Sequence, residues 1–333
     1  MSPATSGPGR PGLPAGLPRF VVSSVIRSSH QGESHGGVYL VDFASGAIDQ
    51  VMDWDDATIS WEGRGADRGL RGIAFHGDSV YLAASDEIFV YDPKFQLQGS
   101  FRNPYLKHCH EIFVAGDTLY LTSTGFDSIL AYDLASSRFT GGWTFRFGGV
   151  ERLRRKLGRA PMPRIRPFDP NSPDGPEPGD STHVNSVFAA EGTVFVSGRL
   201  LGHVVAIRDG RVASHARIPY GSHNARPYRD GVLMNHTDTD RIAFTNRRGA
   251  VRRSFPLVEY DPELLLHADL TKDQARQAFG RGLAVLRDGV IVGGSSPATV
   301  TLYRFESPEP VASINLTMDV RNAIHGLEPW PFD

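Results

Sequence analysis

Apolar and polar residues alternate with a period of two along most of this chain, in short runs broken by turns rich in Gly and Asp. That alternation predicts half-buried strands, and the 3.6-residue spacing of amphipathic helices is almost absent. One unit repeats. Residues 71–82 (RGIAFHGDSVYL) match residues 110–121 (HEIFVAGDTLYL) position by position, and further copies begin at Asn185, His223 and Arg281. Each copy reads as a strand, a two-residue turn and a second strand. Third strands follow at 87–91, 128–132, 203–207, 241–245 and 299–305, and a polar turn leads from each to a fourth. Four antiparallel strands recurring at intervals of roughly 35–75 residues are the pattern of a β-propeller.

The two ends complete the count. The N-terminal part offers three strands, 20–25, 37–43 and 48–54, and the C-terminal part carries an orphan first strand at 323–329. Joined, they make a sixth blade shared between the termini, which removes the open edge that unpaired strands would leave. The fold class expected is all-β, a six-bladed β-propeller spanning 19–333 as one domain, preceded by a Pro/Gly-rich arm at 1–18 that lacks the character of a signal peptide. Two insertions are expected on the ligand face. Residues 149–182 are basic at first (Arg152, Arg154, Arg155, Lys156, Arg159) and read as a solvated loop. In 259–280, the stretch from Thr271 to Phe279 reads as a short helix capped at Thr271.

Composition narrows the class of partner. With 36 Gly and 23 Pro the chain is rich in turns, and 35 basic against 37 acidic residues leave a net charge of −2. No nucleic-acid partner is expected from that balance, and no apolar run is long enough to span a membrane. The single cysteine, Cys109, excludes an intramolecular disulfide framework and fits a reducing, cytoplasmic location. Strand alternation turns it into the core.

In a propeller the first strand of every blade lines the axis, so equivalent positions form a ring. In blade order these are Arg71, His110, Asn185, His223, Arg281 and His325, and a slip of one or two residues would exchange Asn185 for His183. Histidines occupy alternate blades, which would aim three imidazoles about 120° apart at one spot. Three neutral imidazoles with a fourth position open suit a catalytic zinc ion, and iron or copper would accept the same ligands. Arg71 and Arg281 between them suit a small anionic molecule. The plain alternative is that the imidazoles are only hydrogen-bonded.

Loops entering first strands and loops joining second to third strands share one face of a propeller. That face collects 61–64, 67–68, His108, His183 and both insertions, together with Glu33, Asp238 and Asp240. Glu33 and Asp238 are placed as general base or substrate contacts, and His108, His183 and Asn185 as substrate contacts. Glu111, next to a ring histidine, would point away from a metal. Tyr220 and Tyr228 flank His223 as packing or proton-carrying residues.

The blade pattern resembles six-bladed propellers of the NHL, strictosidine-synthase and gluconolactonase type. Within that group the ring is similar to that of the peptidyl-hydroxyglycine amidating lyase, whose zinc is held by three histidines from alternate blades beside an arginine. The resemblance implies His110, His223 and His325 as zinc ligands and Arg71 facing the substrate. Four-histidine iron oxygenases are a remoter likeness if His183 joins the set. The expectation is a metal-dependent lyase or hydrolase acting on a small anionic substrate, against a non-catalytic propeller that binds a ligand or a protein partner on its top face.

Overall fold

A computed structural model describes residues 12–30, 32–55, 69–272, 274–286 and 289–332. The loop stretches 61–64 and 67–68 and most of the expected arm lie outside the described residues. Six separate antiparallel sheets follow one another along the chain and form a six-bladed propeller. From the innermost strand outward, the first blade is Ile73–His76, Ser79–Ala84, Glu87–Tyr91 and Leu97–Arg102. The second begins with Ile112–Ala115, the third with Val184–Ala190, the fourth with Ser222–Tyr228 and the fifth with Arg281–Val285. In the sixth, Asn322–Pro329 is innermost and pairs with Phe20–Ile26, followed by Gly37–Val41 and Ile48–Asp53. The shared terminal blade is therefore present, in a register that runs from Phe20 opposite Pro329 to Ile26 opposite Asn322.

Period-two alternation explains how such sheets become a ring, because successive side chains of a strand leave opposite faces of its blade. Phe20 and Val22 pack into the seam with the fifth blade, against Val292 and Leu302. Val21, between them, packs into the seam with the first blade, against Ile73 and Val80. Six apolar clusters result, one at each seam. Burying one such side chain contributes about 1.5–3 kcal/mol, so each blade is held mainly by its two neighbours. Cys109 is fully buried in the seam between the first and second blades, where burial pushes its thiol up to about 12.

Both insertions differ from the sequence reading. The basic stretch is not a plain loop: Gly149–Lys156 is a helix and Arg164–Phe168 adds a fifth strand to the second blade. The helix presents Val150, Leu153 and Leu157 to solvent and holds on through Arg155, which donates to the carbonyl of Ser181. The stretch from Thr271 carries no helix among its described residues. Arg276 binds Asp240 and the carbonyl of Thr237, and the backbone N–H of Ala278 donates to Ser296, so its polar groups are spent on neighbouring loops.

Candidate functional site at the propeller axis

A cavity of about 1110 Å³ opens at one end of the axis. Arg71, His110, His183, Arg281 and His325 line its inner part, and the segment 259–280 forms much of its outer wall. Four of the inner residues sit at or just before the start of an innermost strand, and His325 lies within the first half of one. The rigid ring thus delivers them to one place from five different blades.

Two of the ring imidazoles are fixed by the same local device. His110 Nδ1 lies 2.9 Å from the carbonyl of His108, two residues back, and 2.9 Å from the hydroxyl of Thr124, fourteen residues on. His223 Nδ1 lies 3.2 Å from the carbonyl of Gly221 and 3.1 Å from the hydroxyl of Thr237, at the same spacings. Each threonine hydroxyl donates onward to a carbonyl of the next blade, Val184 or Gly280. The hydroxyls therefore accept from the imidazoles, which puts the proton on Nδ1 and the lone pair on Nε2. His325 repeats the first half of the device, with Nδ1 at 3.2 Å from the carbonyl of Ala323.

The third blade supplies its imidazole differently. Asn185 keeps the ring register but turns its amide to the carbonyl of Ser222. His183, two residues earlier, reaches the cavity instead and packs edge-on against His110 and His223, with ring centroids 5.4 and 6.1 Å away. Its Nδ1 sits 3.0 Å from both carboxylate oxygens of Asp180. The turn that presents it is built on Asp127, a buried carboxylate that accepts from the backbone N–H groups of Ser181, Thr182 and His183 and from the hydroxyls of Ser181 and Thr182. His183 is thereby held in the left-handed region at φ 52°, which a non-glycine residue adopts only when its surroundings impose it.

Charge in the cavity is one-sided. Burial, then the guanidinium of Arg71, holds His110 well below the usual imidazole range, and burial with Arg281 does the same for His223. Both stay neutral. Arg281 is itself pulled down, by burial and by the guanidiniums of Arg27, Arg71, Arg199 and Arg276. It donates to Thr237 and to the carbonyl of Gly280, yet its Nε is buried with no partner, and no carboxylate pairs with it among the described residues. Arg199 and Arg276, by contrast, are matched by Asp238 at 3.6 Å and by Asp240. A buried guanidinium without a carboxylate has the charge and hydrogen-bond donors to accept an anion.

Whether the imidazoles suit a metal has two answers. Their tautomers do: an Nδ1–H bonded to a carbonyl is the usual support of a ligating imidazole, and His223 Nε2 is buried without a partner. Their spacing does not: among the described residues, no three His, Cys, Asp or Glu side chains come close enough to hold an ion. Arg71 Nη1 also lies 3.2 and 3.4 Å from the two ring nitrogens of His110, nearly equidistant, so it presses on the imidazole off the direction of either lone pair.

The remaining sequence-derived candidates divide. Asp238 lines the cavity, whereas Glu33 caps its own loop by accepting from the N–H of His30, and His108 contributes a carbonyl rather than an imidazole. Tyr220 donates to the carbonyl of Arg159 and so tethers the first insertion. Further along the inner strands, Glu111 and Glu328 approach Arg226 at 3.7 and 3.9 Å. Asp180 and Asp127 carry no ring register in sequence. The only signal for Asp180 is its place three residues before a histidine on a loop that enters an inner strand, and Asp127, 56 residues from that histidine, has none.

No protein-family model and no curated protein matches the chain. Among solved structures, the fold is similar to a protein of unknown function from Bacteroides caccae, with a TM-score of 0.57 at 10 % identity, over 93 % of this chain and 98 % of that one. A streptogramin B lyase aligns with a TM-score of 0.40 at 12 % identity, over 73 % of this chain and 70 % of that one. Virginiamycin B lyase from Staphylococcus aureus aligns with a TM-score of 0.40 at 10 % identity, over 72 % and 71 %. The first likeness is one of fold, and the other two are too distant to say more. No helix among the described residues is long and apolar enough to cross a membrane.

Proposed function

We propose that this propeller binds a small anionic molecule at its axis and moves a proton within it, as a lyase or hydrolase. The observation that carries the reading is that His183, oriented by Asp180, lines the same cavity as Arg71 and Arg281. A carboxylate on Nδ1 keeps the Nε2 lone pair available as a general base, the arrangement that activates water or removes a proton beside an acidic group. Arg281 and Arg71 would bind the oxyanion and stabilise negative charge as it develops. Neutral His110 and His223 would complete the floor without adding repulsive charge.

The test is a panel of small carboxylates, sulfates and phosphates incubated with the protein in deuterated water and followed by proton NMR for exchange or turnover. His183→Asn and Asp180→Asn should abolish turnover and keep binding, whereas Arg281→Gln should lose binding. Binding without any turnover favours the non-catalytic, ligand-binding propeller. A second reading, a divalent transition metal (zinc, iron or copper) on His110, His223 and His325, is favoured by their shared Nδ1 contacts. Metal analysis of protein purified without chelators tests it. Stoichiometric metal that is lost in His110→Ala, His223→Ala and His325→Ala would establish it, and metal retained in all three would end it.

A further inference from the structure

The cavity is far larger than a small oxyanion needs, and its outer wall adds apolar surface that the floor lacks. At about 1110 Å³ it slightly exceeds the roughly 300–1,000 Å³ of pockets that enclose drug-sized ligands, whereas one water occupies about 30 Å³. Its floor is cationic and imidazole-rich. The outer wall is mixed: Leu265, Leu270, Ala275 and Phe279 from the segment 259–280, with Val320 from the loop that holds it, give an apolar stripe, and Glu259, Lys272, Gln274, Arg276 and Gln277 stand beside it. That loop is fixed to the segment by two backbone hydrogen bonds, Leu266 to Met318 and Val320 to Leu266. The apolar lining continues outward as Leu264 and Leu266, which remain 59 % and 56 % exposed at the rim.

Phe279 marks the boundary between floor and wall. Its ring lies between the guanidiniums of Arg27 and Arg281, whose central carbons stand 3.7 and 4.0 Å from its centroid. An anion bound to Arg281 therefore has an aromatic edge beside it, and the leucines of the same segment lie beyond.

We propose that the natural ligand is an amphiphilic anion: an oxyanion head group seated at Arg281 and Arg71, joined to an apolar body that runs out along the 259–280 wall. This rests on the reading of the floor as an anion receptor and specifies what is attached to the anion. Carboxylate, sulfate and phosphate heads share the chemistry the guanidiniums recognise. Each methylene that leaves water against the wall should tighten binding by up to roughly fourfold.

Calorimetric titration with straight-chain carboxylates from acetate to decanoate, and with alkyl sulfates and alkyl phosphates of matched length, all below their micelle concentrations, tests the proposal and separates the three heads. The expected result is affinity that climbs with chain length, falls at least tenfold for every length in Arg281→Gln and is partly kept in Arg281→Lys. The double variant Leu265→Ser with Leu270→Ser, which adds no charge to the cavity, should flatten the chain-length dependence, so that decanoate binds little more tightly than acetate. Arg281-dependent binding that is the same for short and long chains overturns the amphiphile and leaves the anion receptor standing. No binding by any probe overturns both. A chain-length dependence that survives both sets of variants is surfactant adsorption and also overturns the proposal.

Discussion

The backbone N–H of His183 donates to the buried carboxylate of Asp127 at 3.2 Å, and this contact ties the cavity's candidate base to the core of the second blade. Asp127 takes three backbone and two hydroxyl donors from residues 181–183, so its charge is spread over a turn with no other reason to hold a non-glycine residue at positive φ. Asp127→Asn keeps the shape but points amide hydrogens at some of those donors. The variant should lose about 2–3 kcal/mol of stability, as expected for buried charge-assisted hydrogen bonds. It should also lose the His183 Nδ1–H resonance near Asp180. Urea unfolding and imidazole nitrogen NMR check the two effects separately, and an unchanged His183 signal would show that the turn does not depend on Asp127.

Acid should destabilise the protein in a defined window. Unfolded, His110 and His223 take up protons near their ordinary value of 6.5, whereas folded they do so only well below it. Protons therefore favour the unfolded chain between those limits: the stability is whole above pH 6.5 and is lost as pH falls toward the folded values. The slope is up to about 1.4 kcal/mol per pH unit for each imidazole. Urea unfolding at pH 7.5 and 5.5 should show the loss, and His223→Gln should make the dependence shallower. Equal slopes for both proteins would show that His223 takes up its proton alike in the folded and unfolded chain.

Glu328 should act in the opposite sense. Burial and the nearby carboxylate of Glu111 raise it from 4.5 to about 7, against the pull of Arg226, although its side chain keeps 28 % of its accessibility. Between those values the folded protein holds a proton that the unfolded chain has released. This contribution to stability is complete below pH 4.5 and is lost as pH rises through 7. Glu328→Gln imitates the protonated acid, so its stability relative to the parent should increase from pH 5 to pH 8. A difference that does not vary with pH would mean that Glu328 is ionised throughout.

The ring was legible in the sequence because one strand per blade repeats. Arg71, His110, His223, Arg281 and His325 could be aligned from their neighbours alone, and all five meet at the axis or directly beneath the cavity. The third blade was legible only as a choice: ring register selects Asn185, a slip selects His183, and the turn built on Asp127 is what brings His183 to the cavity. That turn depends on a carboxylate more than fifty residues away, which no local pattern reports. The two insertions misled for related reasons. The helix Gly149–Lys156 is too short for periodicity to separate it from a charged loop, and the stretch after Thr271 is drawn to neighbouring loops by the Arg276 side chain, on Asp240 and Thr237, and by the backbone N–H of Ala278, on Ser296.

Closure of the ring can be tested at one glycine. Gly326 lies on the innermost strand of the shared blade, where a Cβ would stand 2.2 Å from the carbonyl of Arg71 and 2.6 Å from the hydroxyl of Ser23. Both groups are already committed, since the Ser23 hydroxyl donates to that carbonyl and accepts from the N–H of Gly326 at 2.9 Å. Gly326→Ala must therefore push the sixth blade away from the first at the seam where the two termini close the propeller. Overpacking of this kind costs about 1–3 kcal/mol, and backbone on one side leaves little room for relief. Because Arg71 is held through its own carbonyl at this seam, the variant should both lower the unfolding midpoint and weaken anion binding at the axis. An alanine variant with parental stability would show that the seam is looser than the contacts around Gly326 require.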